Sequence, residues 1–351
     1  MRRKARKRTT LCAAVLAAGA LCGAAFPSPA APRAASAPPP ERIRVLSWNI
    51  FHGGRDPGLG GEKNLPLLLD QLVALAPDVF FSIETYGAAH EIRQALTERA
   101  GKGTYHAVQV TRGPQGQTRD NLWIFTRHRV DRTFPVPSGH TVSDFNTGGA
   151  RVVLPDGRRL NLVDTWLNFS RPWVGNMVSA NAAAAHEGKR PPYPRSRVAW
   201  AERRKQARQL RDILRVQLPR MLGGSRAPVL LAGDLNTVAT TDWTPRWSRC
   251  PGHHGLSYDL KATDLLTRAG FRDTYRETRP DVCEDPGGSW NTLRRAESDE
   301  GGPFDRIDYI FARGERLRTD RSFTVDTRLR SHPPGPFYSD HAAVVTDLTL
   351  E

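Results

Sequence analysis

Five apolar runs in this 351-residue chain meet residues that a buried sheet would not select for packing. Run 43–50 carries Asn49 in Ser-Trp-Asn-Ile, and run 79–84 ends on Glu84. Run 229–232 delivers Gly233-Asp234-Leu235-Asn236, run 307–312 carries Asp308, and run 342–350 follows Ser339-Asp340-His341. A short run that is apolar on both faces suits a strand covered on both sides. A carboxylate, carboxamide or imidazole at the end of such a strand sits near a sheet rim, where loop-borne chemistry concentrates. The chain is thereby directed toward a layered sheet protein with polar strand ends.

The segments between these runs narrow the class. Leu65, Leu68, Leu69, Leu72 and Val73 recur at helical spacing and predict a helix over 65–76, ended by Pro77-Asp78. A second helix is expected over 89–100, with strands over 105–111, 121–126 and 149–154. Asp156-Gly157 signals a hairpin into a strand over 159–167. Residues 170–196 hold Pro, Gly, Asn and a run of small residues, and read as an inserted loop in which Trp173, Val174 and Met177 could form a lid or dip into a membrane. A long helix over 196–221 follows, with Leu210, Ile213, Leu214 and Leu218 on one face. Strands and helices alternate irregularly, with hairpins between them and no internal repeat. That indicates a mixed-sheet α/β protein in one domain rather than a strictly alternating parallel fold.

The charge has to be divided along the chain before it is interpreted. Lys and Arg number 51 against 36 Asp and Glu, a net charge of +15, with four cysteines. The first 37 residues read as a secretory signal peptide. Arg2, Arg3, Lys4, Arg6, Lys7 and Arg8 precede an apolar stretch over 11–26, and small-x-small cleavage sites follow. That stretch is 16 residues long, short of the roughly 20 that span a bilayer. Removing 1–37 takes away seven basic residues and no acids, which leaves 44 against 36, or +8, in a domain over 38–351. Only seven basic residues in the chain are Lys, so part of the charge reflects a preference for Arg. Cys250 and Cys283 remain after cleavage, and in an oxidising compartment they are expected to pair. A mean hydropathy of −0.50 excludes a multi-spanning membrane protein.

Carboxylates, carboxamides and one imidazole make up the strand-end set. Oxygen donors of this kind suit Mg²⁺, which keeps several waters and needs only one or two carboxylates. An imidazole whose tautomer is fixed by a carboxylate is equipped for proton transfer.

Taken in order, Trp48-Asn49, Glu84, Gly233-Asp234-Leu235-Asn236, Arg306-Ile307-Asp308-Tyr309-Ile310 and Ser339-Asp340-His341 resemble the endonuclease/exonuclease/phosphatase superfamily. The likeness runs from about Ile43 to Leu350 and suggests a secreted bacterial subgroup. It implies a four-layer α/β/β/α sandwich of two mixed β-sheets flanked by helices, and hydrolysis of a phosphoester by metal-activated water. It also implies Mg²⁺ (with Mn²⁺ or Ca²⁺ as alternatives) held by Glu84 with Asn49 and Asp340 close by. Asp234 and Asn236 would position the attacking water, and Asp234 is a candidate base. His341 would contact the phosphate or share the base role, with Asp308 on its other nitrogen.

One position departs from the pattern. Relatives carry a phosphate-contacting His at the end of a middle strand, where this chain reads Val163-Asp164-Thr165-Trp166-Leu167-Asn168. Indole has one donor and does not titrate. Trp166, His52 and Asn121 are therefore the candidate substrate contacts, with Arg119 behind them. Three functions remain open: a secreted phosphodiesterase or nuclease, a sphingomyelinase-type phospholipase C or phosphomonoesterase, and a secreted binding protein without turnover. The partner is then a phosphoester substrate, such as nucleic acid or a phospholipid headgroup. No obligate protein partner is evident.

Overall fold

The computed structural model describes residues 39–112, 120–139, 141–293 and 305–351. The expected signal peptide and Arg119 lie outside these residues. Strand β1 (Glu41–Asn49) opens the fold and leads through three short 3-10 turns into helix α1 (Asn64–Leu75). Ala76 adopts a left-handed conformation at the helix end, just before Pro77. Strand β2 (Val79–Ile83), helix α2 (Ala89–Arg99), and strands β3 (His106–Gln109) and β4 (Trp123–Thr126) follow. Strands β5 (Arg129–Thr133), β6 (Thr147–Val153) and β7 (Arg159–Trp166) come next.

Helices α3 (Val174–His186), α4 (Arg195–Arg204), α5 (Gln206–Asp212) and α6 (Leu218–Leu222) lead to strand β8 (Val229–Asp234). The chain closes with α7 (Ala262–Arg268), β9 (Arg272–Asp273), α8 (Thr274–Thr278), β10 (Asp308–Arg313), β11 (Leu317–Val325) and β12 (Ala343–Leu350).

Two six-stranded sheets result, ordered β11-β12-β1-β2-β4-β3 and β5-β6-β7-β8-β10-β9. β1 with β2 and β7 with β8 are parallel and the remaining pairs are antiparallel, so both sheets are mixed. Strand alternation distributes the core. Ile43 and Val45 of β1 face the second sheet, packing with Leu162, Leu230 and Ile310, while Leu46 and Trp48 face Leu68 and Leu72 of α1 and Ile92 of α2. On the far side, Leu210 of α5, Met221 of α6 and Leu266 of α7 cover Val163, Leu231 and Phe311. Helix, sheet, sheet and helix make the four expected layers. Each fully buried Leu or Ile contributes about 1.5–3 kcal/mol.

Two expectations are corrected. Residues 170–196 are largely helical, because α3 packs Val174, Met177 and Val178 against Val198, Val238 and Ile307 in a satellite core. Trp173, Val174 and Met177 are buried, so they do not dip into a membrane. The helix expected over 196–221 is broken at Lys205 (φ −109°, ψ −93°) and passes through a π turn at Ile213–Gln217. The break sets Gln206 to donate its amide to the carbonyls of Asn168 and Asn236. Cys250 and Cys283 form the expected disulfide. Among the described residues, no helix is long and apolar enough to cross a membrane.

Candidate active site

Sheet register brings the strand-end residues together. Asp234 is the β-partner of both Asp308 and Trp166, so β7, β8 and β10 place three side chains at one rim. β1 and β2 run parallel and deliver Asn49 and Glu84 to the same end, and Asp340-His341 enter from the start of β12. Gly233 is required between the strands. Its φ is 138°, and a Cβ there would lie 1.8 Å from the Thr165 carbonyl oxygen.

A cleft of about 880 Å³ opens over these ends, lined by Asn49, His52, Glu84, Trp166, Asp234, Asn236, Asp340 and His341 among others. Among the described residues, five of the seven non-glycine residues with positive φ line it: Phe51, His52, Glu84, Tyr86 and Asn236. Such conformations cost about 1–3 kcal/mol each and persist where surrounding structure imposes them. At Glu84 (φ 56°) that structure is visible, since Asn121 Oδ1 accepts from the Glu84 amide at 2.8 Å and the Glu84 carbonyl accepts from Gly53.

Asp234 is surrounded by donors. Its Oδ1 accepts from the Asn236 amide at 2.8 Å, and Oδ2 accepts from Trp166 Nε1 at 3.0 Å, with Asn236 Nδ2 at 3.3 Å and Asn49 Nδ2 at 3.4 Å. His341 Nδ1 lies 2.8 Å from Asp308 Oδ2, and its Nε2 lies 3.9 Å from both Asp234 Oδ2 and Asp340 Oδ1. Burial opposes charge on His341, but Asp308 and Asp340, helped by Asp234, outweigh it and raise the imidazole to about 10. Burial and then the Asp308 charge push Asp234 up to about 7, against the pull of His341 and the donors. Burial also raises Asp340, with Glu84 adding to it and His341 opposing.

The donor set suits a hard cation. Glu84 Oε1 and Oε2 take weak bonds from Asn49 Nδ2 (3.1 Å) and the His52 amide (3.2 Å). Asp340 Oδ1 is buried without a hydrogen-bond partner, although Trp290 Nε1 reaches its other oxygen at 3.2 Å. Oxygen atoms so placed at a solvent-facing cleft can hold a divalent ion that keeps its waters. Ligand-type atoms of Asp234, Asp308 and His341 also lie within 4.8 Å of one another.

Among the described residues, all the expected ones converge here except one. Asn121 is fully buried, with Oδ1 on Glu84 and Nδ2 on the Phe145 carbonyl, so it shapes the Glu84 turn and does not line the cleft. Trp166 sits in the cleft wall between Phe145 and Phe169, its single donor committed to Asp234. His52 lines the cleft, its Nδ1 2.9 Å from Asp56 and its Nε2 3.9 Å from Glu84 Oε2. Sequence reasoning missed Ser289 and Trp290. Ser289 Oγ accepts from the Ile307 and Asp308 amides, and Trp290 bridges to His341 and bonds Asp340. Their one sequence signal is a second Ser-Trp-Asn triplet, at 289–291, matching the one at 47–49.

Two stacked mixed sheets with an acidic, imidazole-bearing rim are the arrangement of a superfamily that covers metal-dependent phosphoesterases and nucleases. The family model described as "Endonuclease/Exonuclease/phosphatase family" matches residues 46–341, and the chain belongs to that family. An uncharacterised protein of Caenorhabditis elegans is 24% identical over 320 residues, covering 88% of this chain and 91% of its own. Among solved structures, the endonuclease/exonuclease/phosphatase from Bacteroides vulgatus superposes with a TM-score of 0.57 at 14% identity, over 89% of this chain and 100% of that one. The human Nocturnin catalytic domain, solved with a bound sulfate anion, gives 0.56 at 16% identity, over 88% and 94%. At these identities the likeness establishes the fold.

Proposed function

We propose that this protein is a secreted, Mg²⁺-dependent phosphodiesterase, with nucleic acid as its substrate class. One observation carries the reading: the buried, unpartnered Asp340 Oδ1 stands 3.9 Å from an imidazole that Asp308 anchors from behind. A carboxylate oxygen without a hydrogen-bond partner, beside a charged proton donor, matches what metal-assisted hydrolysis of a phosphodiester needs. Glu84, Asn49 and Asp340 would hold the ion, which when bound polarises the phosphoryl group and neutralises developing charge. Mn²⁺ or Ca²⁺ are alternative occupants. Asp234, fixed by Asn236 and Trp166, orients the attacking water and accepts its proton as the new P–O bond forms. His341, locked by Asp308, carries a proton on Nε2 that passes to the leaving oxygen as the ester P–O bond breaks. A charged imidazole is a poor metal ligand, which supports assigning Asp234, Asp308 and His341 to proton handling.

The expected signal peptide and the disulfide support export. The lipid-directed alternative loses its insertion argument, since Trp173, Val174 and Met177 are core residues. The test is turnover of a bis-aryl phosphate, plasmid DNA and RNA with Mg²⁺, Mn²⁺ or EDTA. Glu84→Ala and His341→Ala are expected to lower kcat by at least about a hundredfold. Metal-independent turnover, or none on any of these substrates, would refute the reading.

A further inference from the structure

The helical segment tied to the cleft rim through Lys205 and Gln206 carries a concentrated positive charge that the chemistry above does not use. Residues 195–212 hold seven basic side chains and two acids. Both acids are committed internally: Glu202 caps the Lys261 and Ala262 amides, and Asp212 accepts from Thr141 and Gln217. On the outer face of α4, Trp200 is 49% exposed, with the Arg197 guanidinium 4.7 Å and the Arg204 guanidinium 5.6 Å from its ring. These positions are three and four residues from Trp200, so they share its helix face. Neither arginine makes an ion pair among the described residues.

This face is fastened to the cleft rim. Lys205, next to Arg204, donates its Nζ to the Ser170 carbonyl at 2.7 Å and the Pro172 carbonyl at 3.2 Å. Gln206 bonds the carbonyls of Asn168 and Asn236. The loop so held carries Phe169, 48% exposed and stacked on Trp166 at 4.6 Å. Phe169 and Trp200 are the only aromatics among the exposed large hydrophobics of the described residues, and the Lys205 anchor lies between them in the structure's connectivity.

We infer that the Arg197–Trp200–Arg204 face, continued by Phe169 at the rim, is a docking track for single-stranded nucleic acid whose scissile phosphate lies in the cleft. The inference rests on the phosphodiesterase reading. Exposed aromatic rings stack on unpaired bases of any sequence, and guanidinium groups follow the phosphates. A paired base cannot offer its face to Trp200, so the track selects single strands. A lipid surface fits less well: Val198, Ala199 and Ala201 of α4 are buried, leaving Trp200 flanked by cations rather than by apolar neighbours.

The test measures binding of labelled single-stranded oligonucleotides of about 12 and about 3 nucleotides in EDTA, where hydrolysis is blocked. Turnover of a bis-aryl phosphate with Mg²⁺ is followed alongside. Trp200→Ala, and separately the pair Arg197→Gln with Arg204→Gln, should each weaken binding of the longer strand about tenfold, with Trp200→Tyr restoring most of it. Affinity for the trimer and turnover of the small diester should not change. Unchanged affinity for the longer strand in both variants, or an equal loss for the trimer, overturns the track. So does Trp200-dependent binding to phosphatidylserine vesicles with oligonucleotide affinity unaltered. Because the surface substitutions avoid the cleft, Trp200-dependent binding without any turnover would overturn the phosphodiesterase reading alone.

Discussion

Asp234 accepts hydrogen bonds from four donors, and the shortest from a side chain is that of the Trp166 indole. Asp234 keeps a single orientation because its backbone neighbour Asn236 holds one oxygen and Trp166 the other. The indole thus supports the carboxylate and has no second donor to offer elsewhere. Trp166→Phe removes the donor but keeps most of the ring, whereas Trp166→His keeps a donor. The expected outcome is a kcat for Trp166→Phe about tenfold below that of Trp166→His on a bis-aryl phosphate, with thermal midpoints compared for both. Equal kcat values would show that the bond has no part in turnover. The site was legible residue by residue where chemistry interrupts an apolar strand, as at Glu84 and Asp308. It was not legible at Asn121, where the amide type is right but both ends are spent on backbone, nor at Ser289 and Trp290, which lie in an irregular segment.

Central strands and edge strands differed in the same way. β1, β2 and β8 are apolar on both faces because layers cover them twice. β5 and β11 sit at sheet edges and carry charge through Arg129, Asp131, Arg132, Arg318, Asp320 and Arg321, which hides their strand pattern while discouraging edge-to-edge pairing. α3 was unreadable for another reason: small residues pack it closely, and its anchor is distant. Ser179 of α3 donates to Asp305 Oδ2 at 2.5 Å, and Asp305 Oδ1 is buried without a partner. Burial, only partly offset by the Ser179 bond, raises Asp305 to about 8. The folded protein therefore keeps a proton that the unfolded chain releases near pH 4, so this site loses stability as pH rises toward 8. Asp305→Asn mimics the protonated acid. It should gain about 1–3 kcal/mol over the natural protein at pH 8 and little at pH 4, read from denaturant midpoints. A gain that is the same at both pH values would contradict a protonated Asp305.

For the molecule as a whole, the disulfide links the loop after β8 to the segment after α8, 33 residues apart in sequence. Closing a loop of that length stabilises by about 3–4 kcal/mol. Replacing Cys250 and Cys283 together with Ser should lower the thermal midpoint by about 5–10 °C, and reductant should do the same to the natural protein but not to the variant. A midpoint indifferent to both would mean that the crosslink adds nothing to the fold. The pairing was foreseeable from two cysteines behind a leader that reads as an export signal, whereas the four-layer arrangement rested on family likeness rather than on periodicity.

Asn49, Glu84 and His341 stand on one sheet, while Trp166, Asp234 and Asp308 stand on the other. The 2.8 Å bond between His341 and Asp308 is therefore a rivet across the seam of the sandwich. The apolar contacts among Val45, Leu162, Leu230 and Ile310, none of which lines the cleft, set the alignment of the two halves. A slip of one sheet over the other would part His341 from Asp308 long before the protein melted, which makes turnover of the proposed substrate a finer gauge of the interior than heat.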